Sequence, residues 1–116
     1  MTLLASLVEA SERVGASSAR LAKVRELADF LRSLAPAEIA IGVQNLSGEL
    51  SQGRIGIGPA VLQEASSIPP ADAASLSLTE VDRTLTDIAA LRGPGVNSLR
   101  AAALRDLLGR ATAAEQ

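Results

Sequence analysis

The sequence predicts an all-α fold, a compact bundle of about six helices, and two observations carry that reading. Ala and Leu supply 22 and 18 of the 55 hydrophobic residues, against 13 Val plus Ile. Ala and Leu favour helices, while the β-branched and aromatic residues that favour strands are scarce. Apolar residues also recur at spacings of three and four, the signature of amphipathic helices. A length of 116 residues suits one domain.

Leu3, Leu4, Leu7 and Val8 line one face of a first helix that ends near Gly15. Ser17 and Ser18 are placed to cap a second, whose apolar stripe is Leu21, Val24, Leu27, Ala28, Leu31 and Leu34, with Phe30 beside it. Pro36 ends that helix and opens a third, where Ile39, Val43 and Leu46 repeat and Glu38 occupies the first turn, favoured there by the helix dipole. From Gly48 to Gly58 four glycines in eleven residues exclude a good helix. Pro59 then starts a short helix through Val61 and Leu62, and the stretch from Ser66 to Ala74, with Pro69-Pro70, reads as an ordered linker.

Ser77 and Glu80 have capping-box spacing, and Leu76 is placed to staple onto Val81, so a helix begins at Leu78. Its inward face is Leu78, Val81, Leu85, Ile88 and Leu91. Gly93 stands where a left-handed C-terminal glycine belongs, and Pro94-Gly95 turns the chain. Asn97 or Ser98 caps a last helix with Leu99, Ala103, Leu104, Leu107 and Leu108 inward, ending around Gly109. Thr112 and Glu115 repeat the capping-box spacing just before Gln116. An isolated turn is not stable, so this reads as a helix start in a chain truncated at its C-terminus.

The absences exclude chemistry. Without Cys or His there is no zinc site of the usual kind, no thiol nucleophile and no imidazole base. The carboxylates are scattered over expected solvent faces, and none is assigned a catalytic role. No apolar run is long enough to span a membrane, and Glu9 rather than a basic flank accompanies the first apolar stretch, so a soluble, cytoplasmic protein is expected. The formal net charge of −2 argues against a general polyanion binder. Ten of the eleven basic residues are Arg, a bias that a GC-rich coding sequence gives by itself. Residues 20–32 and 92–116 are nonetheless locally positive.

Two features point to phosphate. The spacing of Gly53, Gly56 and Gly58 matches neither the dinucleotide fingerprint nor the phosphate loop. It reads either as a tight connection with Ile55 and Ile57 inward, or as bare backbone beside Arg54 that a nucleic-acid backbone can approach. The helix starts after Ser17-Ser18 and after Gly95-Val96-Asn97-Ser98 expose amides that attract phosphate, with Arg20 and Lys23 near one and Arg100 near the other.

The run Leu46-Ser47-Gly48-Glu49-Leu50-Ser51-Gln52-Gly53-Arg54-Ile55-Gly56-Ile57-Gly58 resembles the N-terminal helical DNA-binding domain of ATP-dependent DNA ligases, bacterial members in particular. Three further stretches agree in order and spacing: Ser17-Ser18-Ala19-Arg20-Leu21-Ala22-Lys23-Val24, Gly93-Pro94-Gly95, and Arg110-Ala111-Thr112-Ala113-Ala114-Glu115-Gln116. The match covers nearly the whole chain. It implies an all-helical domain of two related halves that binds the minor-groove side of duplex DNA around a nick, with residues 1–116 as the first half.

The partners it implies are nicked duplex DNA and the remaining ligase domains. ATP and Mg are implied for the whole enzyme, which seals nicks in replication, recombination or repair. No cofactor is expected in this piece, because Lys23 is not followed by the Lys-x-Asp-Gly pattern that carries the adenylate. The DNA-facing set implied by the resemblance is Ser18, Arg20 and Lys23, then Arg54, then Gly95, Asn97, Ser98 and Arg100. Two positions depart from the family pattern: Val96 stands where Ser is common, which weakens an expected hydroxyl contact, and Pro59 where Trp is common. Contacts of this kind ignore base identity, as sealing of any sequence requires. The rival reading is a helical module that binds a protein through its apolar faces, and the unfinished end predicts self-association.

Overall fold

The computed structural model describes every residue of the chain except Glu49, Ser51, Arg54, Ile55 and Gly56. Its helices are α1 (Leu4–Ala16), α2 (Arg20–Ser33), α3 (Pro36–Leu46), α4 (Pro59–Ala65), α5 (Leu78–Ala90) and α6 (Val96–Gly109). The described residues form no strand. One isolated antiparallel bridge joins Leu3 to Ser77. The all-α expectation therefore holds. None of the described helices is long and apolar enough to cross a membrane.

Two groups of helices build the molecule, which measures 50 × 27 × 24 Å. α1 packs on α2 and α3, α4 packs on α6, and α5 touches both α3 and α6. Leu7, Ala10, Phe30 and Leu34 form one core cluster together with Leu78, the first residue of α5. Ile88, about 15 Å further along the same helix, lies in a second cluster with Ala65 and Leu104. α5 thus joins the two. A third cluster of Leu76, Leu107 and Ala111, flanked by Leu4 and Val81, closes the seam between them.

The chain's first residues lie in that seam. Leu4 N–H donates to Leu76 O at 2.8 Å and Leu78 N–H to Thr2 O at 2.9 Å. Glu38, 4% exposed, takes the Thr2 amide on Oε2 at 2.8 Å and the Thr2 hydroxyl and Ala35 amide on Oε1 at 2.9 and 3.0 Å. The amides of Ala35 and Thr2 hold its carboxyl below the usual carboxylate range, and they outweigh burial, which acts the other way.

The α5 start follows the sequence closely. Ser77 is the N-cap, its hydroxyl accepting the Glu80 amide at 3.1 Å, and Leu76 and Val81 share a cluster as a hydrophobic staple requires. Gly93 is left-handed at φ +98° as expected, although the α5 C-cap falls at Leu91. Three other expectations are corrected. Ser17 and Ser18 do not cap α2: the N-cap is Ala19, and the Ser17 hydroxyl donates back to Arg13 O at 2.9 Å, closing α1. Neither Asn97 nor Ser98 caps α6: the N-cap is left-handed Gly95 at φ +73°, so the helix begins at Val96, two or three residues earlier than expected.

The third correction concerns which faces are buried. On α2 the packed face centres on Phe30 and Leu34, while Leu21 is 76% exposed and Val24 is also exposed. α3 buries Glu38 and Gly42, leaving Ile39 and Val43 exposed. A Cβ on Gly42 would lie 2.6 Å from Leu34 Cδ1, so α3 comes close to α2 on its glycine side. α6 turns Ala101, Leu104 and Leu107 inward, and Leu99 outward. In each helix the apolar arc is wider than the covered one, and the neighbouring helix decides which part is used.

Candidate nucleic-acid interface

The start of α2 presents a positive helix end that nothing in its own first turn neutralises. Ala19 offers no side-chain cap, and no acidic residue stands in the first turn. Its first amides are therefore available to an external acceptor. Ser18 and Arg20 are exposed, and Lys23, one turn in, is half-buried on the packed side. The nearby ion pairs, Arg13 with Glu26 at 2.9 Å and Arg32 with Asp29 at 3.2 Å, involve neither Arg20 nor Lys23. A cation at a helix N-terminus is unfavourable for the helix alone, and an anion bound there offsets the cost.

The start of α6 is built differently. Gly93 and Gly95 both take positive φ, and Val96 N–H donates to Gly93 O at 3.3 Å, which folds the turn tightly under the helix. Gly95 has no side chain to cap the first amides, and the first turn again lacks an acid. Asn97 and Ser98 are exposed as its second and third residues. With Val61, Glu64, Ala101, Ala102 and Arg105 they line an open groove of about 320 Å³ between α4 and α6. Glu64 pairs there with Arg105 at 2.9 Å.

Arg100 does more than face solvent. It is half-buried, and its Nη2 donates to Leu91 O at 3.0 Å. Arg92 Nη1 donates to the same oxygen at 2.8 Å and to Ala89 O at 2.5 Å. Two guanidinium groups thus occupy the last carbonyls of α5, where orphan acceptors and the negative end of the helix favour them. Arg92 was absent from the implied set. Its position one residue before a Gly-Pro-Gly turn at a helix end was the available signal.

In the glycine-rich segment, Arg54 lies outside the described residues, as does Ile55. Ile57 is inward as expected, against the second core cluster. Gln52 ties the segment to α5: its Nε2 donates to Asp82 O and Asp82 Oδ1, both at 2.8 Å, and to Thr86 Oγ1 at 2.9 Å.

The helix starts occupy different helical groups, since α2 packs on α1 and α3, and α6 on α4 and α5. Acidic charge gathers elsewhere. Glu9, Glu12 and Glu115 line a groove of about 240 Å³ between α1 and the C-terminal turn, so an overall negative balance coexists with locally positive helix starts. Among the described residues no group of three or more potential ligands is arranged to hold a metal ion.

The chain is 49% identical over 114 residues to a protein named probable DNA ligase from Anaeromyxobacter sp. (strain Fw109-5), a match covering 97% of this chain and 22% of that protein. It is 46% identical over 115 residues to a probable DNA ligase from Sorangium cellulosum (strain So ce56), covering 98% of this chain and 22% of the relative. A probable DNA ligase from Kineococcus radiotolerans is 46% identical over 118 residues, with 98% and 23% covered. The chain therefore spans less than a quarter of the length of these relatives. No family model matches it. No solved structure matches it either.

Proposed function

We propose that this chain is a sequence-independent duplex DNA-binding module, the N-terminal part of the helical DNA-binding domain of an ATP-dependent DNA ligase. The observation that carries the reading is the match of almost the whole chain to about a fifth of each probable DNA ligase, joined to two uncapped, acid-free helix starts flanked by Arg. Ser18, Arg20 and Lys23 on one side, Gly95, Asn97, Ser98 and Arg100 on the other, and Arg54 between them in sequence would meet phosphate and sugar of a nicked duplex.

Such contacts position DNA without reading bases. Catalysis belongs to the remaining domains of the parent, which would use ATP and Mg, transfer AMP to the 5′ phosphate and seal the nick in replication, recombination or repair. Cytoplasmic residence follows from the same reading.

Fluorescence anisotropy on nicked and intact duplexes at low and moderate salt tests it. Binding that weakens with salt and tolerates sequence change is expected. A folded chain that binds neither duplex would overturn the reading. It would also favour the rival, a protein-interaction module, for which one observation speaks: Leu27, Leu31, Val43 and Leu46 line an apolar groove of about 290 Å³ between α2 and α3.

A further inference from the structure

One exposed face of α2 carries apolar and basic residues together. At about 100° per residue, Arg20, Val24, Leu21 and Arg25 fall in that order across an arc of about 140°. Leu21 is 76% and Val24 55% exposed, and both arginines are exposed as well. Two apolar side chains thus lie between two guanidinium-bearing ones.

The cations on this face are not neutralised from within the chain. Both acids of α2 are engaged by other arginines, Glu26 by Arg13 of α1 at 2.9 Å and Asp29 by Arg32 at 3.2 Å. Among the described residues neither Arg20 nor Arg25 joins an ion pair. Nor do Leu21 and Val24 serve the interior, since neither belongs to a core cluster. A lone exposed leucine is ordinary on a protein surface. Here Val24 is followed one and two turns on by Leu27 and Leu31, which wall the groove shared with α3, so an apolar strip runs from that groove to the helix start.

A partner for this face needs negative charge on both sides of an uncharged surface. A nucleic-acid strand has that form, because its phosphates alternate with sugars whose carbon edges carry no charge. Arg20 and Arg25 are about 7.5 Å apart along the helix axis, a separation that two long side chains adjust to neighbouring phosphates. The acid-free first turn of α2 extends the same positive surface. A second copy of this face would set like charge against like, so a polyanion competes well with self-association.

We propose that Leu21 and Val24 are the sugar-contacting residues of α2, seated on deoxyribose between phosphates held by Arg20 and Arg25. The inference rests on the DNA-binding reading above and extends it to Leu21, Val24 and Arg25. Its signature is thermodynamic. An apolar contact releases no counterions and adds affinity without salt dependence, whereas a phosphate contact adds both.

The test is anisotropy of the full 116-residue chain on a nicked duplex at several salt concentrations, with sedimentation velocity reporting the association state of each sample. Leu21→Asn is expected to weaken binding about three- to tenfold at every salt concentration and to leave the slope unchanged. Arg25→Ala is expected to lower the slope by about one. Circular dichroism should show both variants folded, because both positions are exposed. Val24→Thr, nearly the same shape, should act in the same direction as Leu21→Asn and carries the test should the latter fail to fold. Wild-type affinity in Leu21→Asn and Val24→Thr overturns the proposal and leaves the DNA-binding reading standing. A fall in slope with Leu21→Asn, or an unchanged slope with Arg25→Ala, overturns it as well. If Leu21→Asn binds DNA like wild type but loses affinity for a helical peptide rich in Glu and Leu, or loses self-association, the face takes protein and the proposal fails. No binding by the wild-type chain removes the DNA-binding reading, and the proposal with it.

Discussion

Thr2 gives both of its donors to Glu38, the backbone amide to one carboxylate oxygen and the hydroxyl to the other, at 2.8 and 2.9 Å. A third donor, the Ala35 amide, shares Oε1 with the Thr2 hydroxyl. One buried acid therefore starts α3 and holds the first residues of the chain in the seam between the two helical groups.

A pH dependence follows from the depressed carboxyl of Glu38. Its folded value lies below the ordinary 4.5, so its contribution is present above pH 4.5 and is lost as pH falls from there through the folded value. Glu38→Gln should cost about 1–3 kcal/mol at pH 7, since charged hydrogen bonds are replaced and one amide loses its acceptor. Denaturant unfolding at pH 7 and pH 3 checks both points. The wild-type advantage over Glu38→Gln should shrink at the lower pH; an undiminished gap would show that ionisation is not its source.

Arg20 separates stability from binding. Removing an exposed cation from a helix N-terminus should leave the fold unchanged or raise its stability by a few tenths of a kcal/mol. The same Arg20→Ala change should weaken duplex binding alike for unrelated sequences and lower the salt slope by about one. Thermal melts and salt-dependent titrations of one preparation measure both. An unchanged slope takes Arg20 out of the interface.

Arg100 should behave the other way in the melt. Arg100→Ala takes a donor from Leu91 O and removes a half-buried stem, at a cost of about 1 kcal/mol. Arg100→Lys keeps the charge but not the planar fork. If the residue meets phosphate through charge, the Lys variant keeps the wild-type salt slope while its melting temperature falls. A full-strength melt for Arg100→Ala would mean that Arg92 alone suffices at Leu91.

Leu21 and Val24 on α2, with Ile39 and Val43 on α3, leave apolar surface uncovered. Sedimentation velocity over a range of concentrations should show self-association, and Leu21→Glu combined with Val43→Glu should remove it. A strict monomer at all concentrations would end that expectation.

Legibility tracked how local each cause was. The α5 start was readable because Ser77, Glu80, Leu76 and Val81 carry all its information within six residues. The buried face of α2 was not, since Leu21 and Phe30 are equally apolar and only the arrival of α1 and α3 selects between them. At the candidate interface the exposed helix starts were legible from glycine and serine positions. Ala19 and Gly95 as N-caps were missed because neither caps with a side chain: backbone conformation alone starts both helices. The attachment of Arg92 and Arg100 to Leu91 O, and of Gln52 to α5, joins residues whose proximity exists only after folding.

The pairing of Leu4 with Leu76 and of Leu78 with Thr2 sets an order on the birth of the protein. The cluster around Leu7 and Phe30 is incomplete until Leu78 arrives, although α1, α2 and α3 have long been synthesised by then. At about 5–20 residues per second, the stretch between the end of α3 and Leu78 keeps the first three helices waiting on the ribosome for roughly 2–6 s. During that interval their apolar faces are open to whatever chaperone stands at the exit tunnel.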